Sequence, residues 1–308
     1  MSLQFKPIGA EDIDAITPFY ALRPNKTCDS VYLDSFIWRE YYHVKYAVSE
    51  GRALLFLMEK EGEPFSAMPM CREEDLPHYF EQLVDYFNQV LKKPLRILLA
   101  DEEAVRYLNL NPEKFEVKEE EDLKDYLYDA EAMRTLSGKK LHKKKNHLNS
   151  FLREYEGRYE YRNLNCSDRD DVLEFLDGWW ENKVEAAEYE SQLDYEVMGI
   201  HDILKNCSVL GASMAGVYID GRLRAFTIGT YNKLEKMAVI HIEKADANVK
   251  GLYQYINQQF LIHAFPEEMV LVNREDDVGM EGLRQAKMSY NPIGFARKYG
   301  IFQKGFSI

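Results

Sequence analysis

The clearest order of apolar and polar positions lies in the second half of the chain. Residues 210–232 form two apolar runs on either side of Asp220-Gly221, a dipeptide typical of tight β-hairpin turns. The elements predicted after this hairpin are a strand at 236–246, a helix at 248–265, a strand at 268–276, a helix at 279–290 and strand material at 294–306. This alternation predicts a mixed sheet flanked by helices.

The first half carries a similar order less clearly. Residues 51–71 predict two strands around a Glu61-Gly62 turn, and the apolar residues of 74–93 recur at helical spacing. A strand at 94–100 and a helix with Asp101 as its N-cap follow. The 308 residues suit about two domains of roughly 150 residues. We therefore predict an α/β (α+β) protein with two domains, each a mixed, mostly antiparallel sheet flanked by helices.

The distribution of charge contains one anomaly. The chain has a formal net charge of -13, so its overall field repels nucleic acid and argues against non-specific binding. Five lysines nevertheless crowd residues 139–145. Because like charges this close repel one another, the block indicates either a local anionic partner or neutralisation by the acidic run at 118–125.

The lysines are predicted on one face of a helix that starts near Ser137-Gly138. An apolar stripe at helical spacing is formed by Leu141, Leu148, Leu152 and Tyr155. The adjacent face carries Lys139, Lys140, Lys143 and Lys144. Since free N–H groups and lysines meet at this helix start, a phosphate is a natural ligand. A solvated helix face is the alternative.

Three segments carry a resemblance to known proteins. Residues 210–265, with the hairpin, the third strand and the following helix, resemble the central part of the GCN5-related N-acetyltransferase fold. Residues 273–292, NREDDVGMEGLRQAKMSYNP, and 136–151, LSGKKLHKKKNHLNSF, closely resemble a bacterial family of uncharacterised proteins. That family is related to the C-terminal domain of phosphatidylglycerol lysyltransferases. The resemblance covers most of the chain and is best over 126–300.

The resemblance implies two tandem acyltransferase-like domains, at 1–136 and 137–308, with the active cleft in the second. It also implies kinship with the Fem-type aminoacyltransferases, which take an aminoacyl group from tRNA. The implied co-substrate is an acyl donor, either aminoacyl-tRNA or acyl-CoA, and no tightly bound cofactor is expected. The implied acceptor is a small amine or peptide.

One stretch departs from the acetyl-CoA pattern of that superfamily. The superfamily loop, (Arg/Gln)-x-x-Gly-x-(Gly/Ala), cradles a pyrophosphate with backbone N–H groups at a helix start. This chain keeps Gly251, but it has Ala247 or Asn248 in place of Arg or Gln and Tyr253 in place of a small residue. A bulky residue hinders close approach of phosphates. A tRNA-bound donor or another thioester therefore stays open.

His241 and Glu243 are the candidate bases. With strict strand alternation both side chains point to one face, beside the position where the resemblance places acyl transfer. Amide formation needs a neutral amine, which a nearby base provides. A structural His–Glu contact is one alternative. Substrate-assisted proton transfer is another, and it requires no protein base.

A second set of candidates lies at the end of the strand at 268–276 and on the next helix. These residues are Asn273, Arg274, Glu275, Asp276, Arg284, Lys287 and Tyr290. In this hypothesis Glu275 and Asp276 orient an ammonium group. Arg284 and Lys287 bind a phosphate or carboxylate, and Tyr290 protonates a leaving group. A helix cap with weak surface ion pairs is the alternative.

Other classes of site are not indicated. The seven histidines show no metal-binding spacing, so no metal is expected. The four cysteines are scattered without a CxxC pair, and reduced thiols are expected. The N-terminal residues do not resemble a secretory signal, and the apolar run at 53–58 is too short to cross a bilayer. We expect a cytoplasmic protein without an integral membrane segment.

Together these features favour an aminoacyl- or acyl-transferase that forms an amide on a small amine or peptide. The lysine block would bind the phosphates of the donor, and Trp179 and Trp180 would stack on its bases. One alternative is a non-catalytic module that binds tRNA or another anionic ligand. The other is a conventional acyl-CoA N-acyltransferase.

Overall fold

A computed structural model describes residues 3–181 and 190–306, and the chain within it divides into two units. The first unit takes the chain up to Asp125, then Asp276–Gly279 and the residues from Ala296 onward. The second takes Tyr126–Glu275 and Met280–Phe295. The predicted boundary between residues 136 and 137 falls inside the second unit, and the tandem arrangement of acyltransferase-like domains stays a prediction.

The described part of the first unit contains two sheets with helices. Its elements are β1 (Lys6–Pro7), α1 (Ile13–Tyr20), α2 (Tyr32–Ile37), β2 (Lys45–Ser49), β3 (Ala53–Lys60), β4 (Glu63–Phe65), α3 (Leu76–Asp85), β5 (Arg96–Asp101), α4 (Glu102–Leu108), β6 (Phe115–Glu119) and, near the C-terminus, β14 (Lys298–Gln303). The strand orders are β1-β2-β3-β4 and β5-β14-β6. The closing strand thus pairs with two strands of the first half and joins their unit.

Local sequence signals explain the turns and caps of this unit. The β3–β4 turn at Glu61-Gly62 is confirmed, and both residues have a positive φ. The N-cap prediction is also confirmed, because the Asp101 carboxylate accepts the Ala104 N–H at 3.0 Å. The same carboxylate holds the buried Arg23 guanidinium through two hydrogen bonds of 2.6 and 2.7 Å.

Lys298 at the start of β14 is a buried cation in the first unit, with 1% exposure. Its amine lies 2.9 Å from an oxygen of Asp125 and 3.1 Å from one of Asp29. Asp276 lies 3.8 Å from the same amine. Burial opposes the charge, but the carboxylates, Asp125 foremost, raise the pKa of Lys298 well above its usual value. This charge cluster ties the closing strand into the unit.

The second unit is built on one sheet in the order β13-β7-β12-β11-β10-β9-β8. Its elements are β7 (Asp125–Asp129), α5 (Ala130–Thr135), α6 (His142–Glu154), β8 (Tyr159–Asn163), α7 (Arg169–Glu181), α8 (Glu190–Leu210), β9 (Ser213–Ile219), β10 (Arg222–Asn232), β11 (Met237–Ala245), α9 (Leu252–His263), β12 (Leu271–Asn273), α10 (Glu281–Met288) and β13 (Gly294–Ala296). Strands β8 to β11 pair antiparallel, and β11 pairs parallel to β12. The predicted mixed α/β fold is confirmed.

Two predicted features of this sheet are confirmed. Asp220 and Gly221 form the β9–β10 turn with φ values of 50° and 78°, the left-handed pair that a tight hairpin requires. Helix α9 crosses between the parallel strands β11 and β12, as such a pair demands. Its buried side chains Leu252, Ile256 and Phe260 pack against the sheet.

The longest described helix, α8, bears on membrane insertion. Its 21 residues would span about 30 Å, the thickness of a bilayer core. It carries Asp194, Glu196, Asp202 and Lys205, which oppose insertion. Within residues 3–181 and 190–306, no helix is both long and apolar enough to cross a membrane.

The expectation of reduced thiols is wrong for one pair of cysteines. Cys166, just before α7, and Cys207, in α8, form a disulfide with their Cα atoms 5.8 Å apart. The two residues are separated by 41 positions, so their spacing in the sequence gave no sign of the contact. Cys28 and Cys71 are free and buried.

Gly251 marks the close approach of α6 and α9. Its φ is 85°, and a Cβ atom added there would lie 2.1 Å from the carbonyl oxygen of His147. The packing of two helices therefore accounts for this glycine. Its presence is not in itself an indication of phosphate binding, although the acetyl-CoA loop has a glycine at the matching position.

We predict that Gly251→Ala destabilises the protein far more than Gly221→Ala. Both glycines have a positive φ, so both changes carry the strain of about 1–2 kcal/mol expected for alanine there. A Cβ at Gly221 meets no described atom within 4 Å, whereas at Gly251 overpacking adds about 1–3 kcal/mol. Urea unfolding of both variants measures the difference, and equal losses of unfolding free energy would contradict the packing of α6 on α9.

Candidate functional site

A β-bulge in β11 sets the geometry of the candidate site. Ile228 of β10 pairs with Ile242, but the next residue, Gly229, pairs with Ile240. His241 is therefore an extra residue in β11, and the alternation of its side chains shifts by one. Bulges of this kind reorient side chains, often next to active sites.

The bulge overturns the prediction that His241 and Glu243 share a face of the sheet. Glu243 accepts a hydrogen bond of 2.7 Å from Asn257 of α9, so it points to the α9 side. His241 bonds to Thr230 at 2.8 Å. The neighbouring Gly229 faces Phe260 of α9, so Thr230 and His241 point to the opposite side.

Glu243 is the centre of a polar network on the α9 side. Its second carboxylate oxygen accepts a hydrogen bond of 2.8 Å from the guanidinium of Arg274, which follows β12. The side chains are 7% and 14% exposed, so both charges are largely withdrawn from water. Burial alone would lower the pKa of Arg274, but the Glu243 carboxylate raises it above its usual value.

Tyr290 closes this network on its other side. The Arg274 guanidinium lies 4.9 Å from the centre of the Tyr290 ring. Gln254 of α9 donates a hydrogen bond of 3.0 Å to the phenol oxygen. Burial raises the pKa of Tyr290, so the phenol keeps its proton at neutral pH.

Lys144 is the one predicted phosphate-binding lysine that joins the network. Its amine lies over the Tyr290 ring, 4.2 Å from the centre, and its side chain is half-buried. Burial and, next, the charge of Arg274 lower the pKa of Lys144. Two cations therefore face one phenol, an arrangement that favours an anion at this point.

The other predicted lysines lie on the surface near the start of α6. Lys139 and Lys140 belong to a 3-10 turn before the helix, and Lys143 lies in its first turn. All three side chains are exposed. Asn291, which follows α10, donates a hydrogen bond of 3.2 Å to the carbonyl of Lys140 and so attaches this turn to the segment of Tyr290.

His241 and Glu275 form a second, separate pair. The ring Nδ1 of His241 lies 2.8 Å from a carboxylate oxygen of Glu275. Glu275 has a φ of 57°, and its N–H donates to the fully buried side chain of Asn273 at 2.7 Å. Asn273 thus holds Glu275 in a strained conformation that directs its carboxylate at His241.

The remaining candidates have structural partners. The Lys287 amine is buried and donates 2.6 Å to the backbone oxygen of Arg274, so it fixes that residue. Arg284 is half-exposed on α10. Asp276 belongs to the first unit and lies near Lys298, whereas Glu275 belongs to the second. Glu275 and Asp276 therefore have different partners, His241 and Lys298.

A cavity of about 430 Å³ lies in the second unit, lined by α7, the β9–β10 turn and the start of the loop after β11. Trp179 forms part of its wall, with the Lys244 amine 4.0 Å from the ring centre. Burial raises the pKa of Tyr253, and hydrogen bonds with the Ala245 backbone and the Trp179 side chain offset part of that rise. Trp180 lies outside the described side chains, so its predicted stacking role stays a prediction.

Sequence reasoning missed the polar residues that support these groups. Gln254 and Asn257 are buried on the apolar side of α9, and Thr230 is the partner of His241. A polar pair at i and i+3 within an apolar stripe was the signal in the sequence. Such a pair needs partners inside the protein, here Tyr290 and Glu243.

Solved structures resemble the chain over nearly its whole length. A conserved protein of unknown function from Bacteroides thetaiotaomicron is 29% identical, with a TM-score of 0.89 and coverage of 98% of this chain and 100% of that one. The C-terminal domain of a putative lysylphosphatidylglycerol synthetase from Agrobacterium fabrum is 17% identical, with a TM-score of 0.68 and coverage of 96% and 92%. L-PGS from Bacillus licheniformis is 17% identical, with a TM-score of 0.70 and coverage of 100% and 96%. The last two share the fold.

Sequence comparison also finds relatives of this chain. An uncharacterised protein of Mycoplasmoides gallisepticum is 28% identical over 176 residues, and the match spans 57% of this chain and 54%, about half, of that relative. The profile of the family described as "Phosphatidylglycerol lysyltransferase, C-terminal" matches residues 20–302. The chain therefore belongs to the phosphatidylglycerol lysyltransferase C-terminal family.

Proposed function

We propose that the protein is an aminoacyltransferase that moves an aminoacyl group from tRNA to a small amine or peptide and forms an amide. The observation that carries the proposal is the cluster of Lys144, Arg274 and Tyr290 around the buried Glu243. It supplies positive charge and a protonated phenol at one point. A tRNA donor places the reaction in the cytoplasm.

In this proposal the exposed lysines bind the donor. Lys139, Lys140 and Lys143 present three charges at the surface, and Asn291 attaches their turn to the segment that carries Tyr290. Phosphates contacted by these lysines would bring the aminoacyl end of the tRNA towards the network. The rest of the chain is acidic, so binding would depend on this one local patch.

The transfer itself needs charge stabilisation and the movement of one proton. The amine nitrogen of the acceptor attacks the ester carbonyl carbon, and the negative charge that develops on the carbonyl oxygen is stabilised by Lys144. The bond to the ribose oxygen then breaks. Tyr290 gives its proton to that leaving oxygen, and the attacking amine loses a proton that restores the phenol.

Glu243 acts in this proposal through Arg274. Its two oxygens are engaged by Arg274 and Asn257, so it fixes the guanidinium beside Tyr290 and is a positioning residue. His241 lies on the opposite side of the sheet, with Glu275 and Thr230 on its ring nitrogens. A proton relay through Tyr290 therefore suits the geometry better than a base at His241 or Glu243.

We predict that Lys144→Met slows transfer, whereas Lys145→Met leaves it within about twofold. The two changes remove the same charge from neighbouring positions, but Lys144 lies over Tyr290 and Lys145 is exposed. Loss of one group that stabilises the oxyanion lowers kcat by about 10²–10³. Labelled aminoacyl-tRNA and a panel of amines and short peptides measure the rate.

Two results of this assay would count against transfer from tRNA. If wild-type protein consumes no charged tRNA and transfers no label, the protein is not an aminoacyltransferase. If label moves from acetyl-CoA instead, it is a conventional acyl-CoA N-acyltransferase. Equal rates for Lys144→Met and wild type would show that Lys144 has no part in the mechanism, although the protein is an aminoacyltransferase.

We also predict that replacing Lys139, Lys140 and Lys143 together by Gln weakens tRNA binding and its dependence on salt. Each lost phosphate contact lowers the slope of log K against log[salt] by about 0.7–0.9. The matched control replaces Lys92, Lys93 and Lys114, which lie in the first unit, by Gln. Filter binding at several salt concentrations gives the slopes. Equal slopes for both triple variants would identify the lysine block as a solvated helix face.

A further inference from the structure

The cavity of about 430 Å³ in the second unit has a mixed lining that no step of the proposed transfer uses. Its volume lies within the range of about 300–1,000 Å³ typical of small-molecule sites. One wall is α7, with Phe175 and Trp179, and another is the start of β10, with Leu223. These three side chains supply an apolar surface for a ligand.

Most charged groups in the lining already have partners. Arg224 forms an ion pair with Asp246, which precedes α9. Asp171 accepts a hydrogen bond of 2.6 Å from the Tyr218 hydroxyl. These contacts join α7 and the loop after β11 to the β9–β10 hairpin, so they shape the cavity and leave little capacity for a ligand.

Two exposed charges in the lining differ from these. Glu174 of α7 and Arg222 at the start of β10 have no ion-pair or hydrogen-bond partner within the part of the chain whose side chains are described, residues 3–179 and 193–306. They carry opposite charges, yet they do not pair with each other. A ligand that satisfies both would carry a cation and an anion and an apolar part between or beside them.

We infer that this cavity binds a zwitterionic amino acid or short peptide, with its free ammonium group at Glu174 and its free carboxylate at Arg222. The aminoacyl group of a donor does not fit this description, because its carboxyl group is esterified and it therefore has no free carboxylate. The ligand is therefore the acceptor, and naming it rests on the proposed function. Phe175, Trp179 and Leu223 would contact an apolar side chain.

The position of the cavity suits an acceptor. Trp179 in its wall hydrogen-bonds Tyr253, and Tyr253 lies close enough to Glu243 and Arg274 for both to affect its pKa. Tyr253 therefore connects the cavity to the network that would carry out the transfer.

The test is a titration of the full chain with the dipeptide L-alanyl-L-leucine, followed by calorimetry and by the shift in Tm. N-acetylated and C-amidated forms of the dipeptide remove one charge each. We expect each cap to weaken binding about tenfold, which corresponds to the loss of one charge contact. Free L-leucine distinguishes a single amino acid from a peptide as the ligand.

Matched variants assign each end of the ligand. Glu174→Gln should abolish the preference for a free amino end alone, and Arg222→Gln the preference for a free carboxyl end alone. Asp177→Asn and Arg169→Gln change exposed charges on α7 that do not line the cavity, and both preferences should persist. Circular dichroism of the four variants is the control for folding.

Three results would overturn the inference. The first is that neither the dipeptide nor leucine binds at millimolar concentration. The second is that the capped forms bind as well as the free dipeptide. The third is that AMP binds in an Arg222-dependent way and excludes the peptide. Because binding is measured without a donor, its outcome is distinct from that of the transfer assay. Peptide binding without transfer would leave this site standing and contradict the proposed transferase.

Discussion

The ion pair between Glu243 and Arg274 is the interaction on which the candidate site depends. It connects β11 to the residue that follows β12, and both side chains are largely buried. Asn257 satisfies the second oxygen of Glu243, and Arg274 in turn lies against Tyr290. Loss of either partner would leave a buried charge without compensation, at a cost of about 3–5 kcal/mol. The pair therefore fixes where positive charge and a phenol proton are offered.

The bulge at His241 makes this pair possible. One extra residue in β11 turns Glu243 to the α9 side and leaves His241 on the other side with Glu275. Without the extra residue, Glu243 would point away from Asn257 and Arg274 would have no buried carboxylate. The bulge therefore separates the two candidate bases, with Glu243 in the network around Tyr290 and His241 in a pair with Glu275.

Features with local causes were predictable from the sequence. The Asp220-Gly221 turn, the Asp101 cap and the apolar stripe of α9 each depend on residues a few positions apart. The bulge, the Cys166–Cys207 disulfide and the return of β14 to the first unit depend on pairing between distant segments. The candidate site was likewise predictable only in part. Arg274, Tyr290 and Lys144 can be predicted from the chemistry of their side chains. The roles of Asn257 and Gln254, which hydrogen-bond Glu243 and Tyr290, become visible only when α9 is packed in the structure.

The most direct test of the account is a double-mutant cycle on the single-turnover rate of transfer from labelled aminoacyl-tRNA, with Glu243→Gln, Arg274→Gln and the double variant. If the pair acts as one unit, each single change slows transfer, and the double variant is no slower than Arg274→Gln alone. Unfolding curves of the same variants separate this effect from loss of stability. Single changes whose effects multiply in the double variant, or a Glu243→Gln protein as fast as wild type, would contradict it.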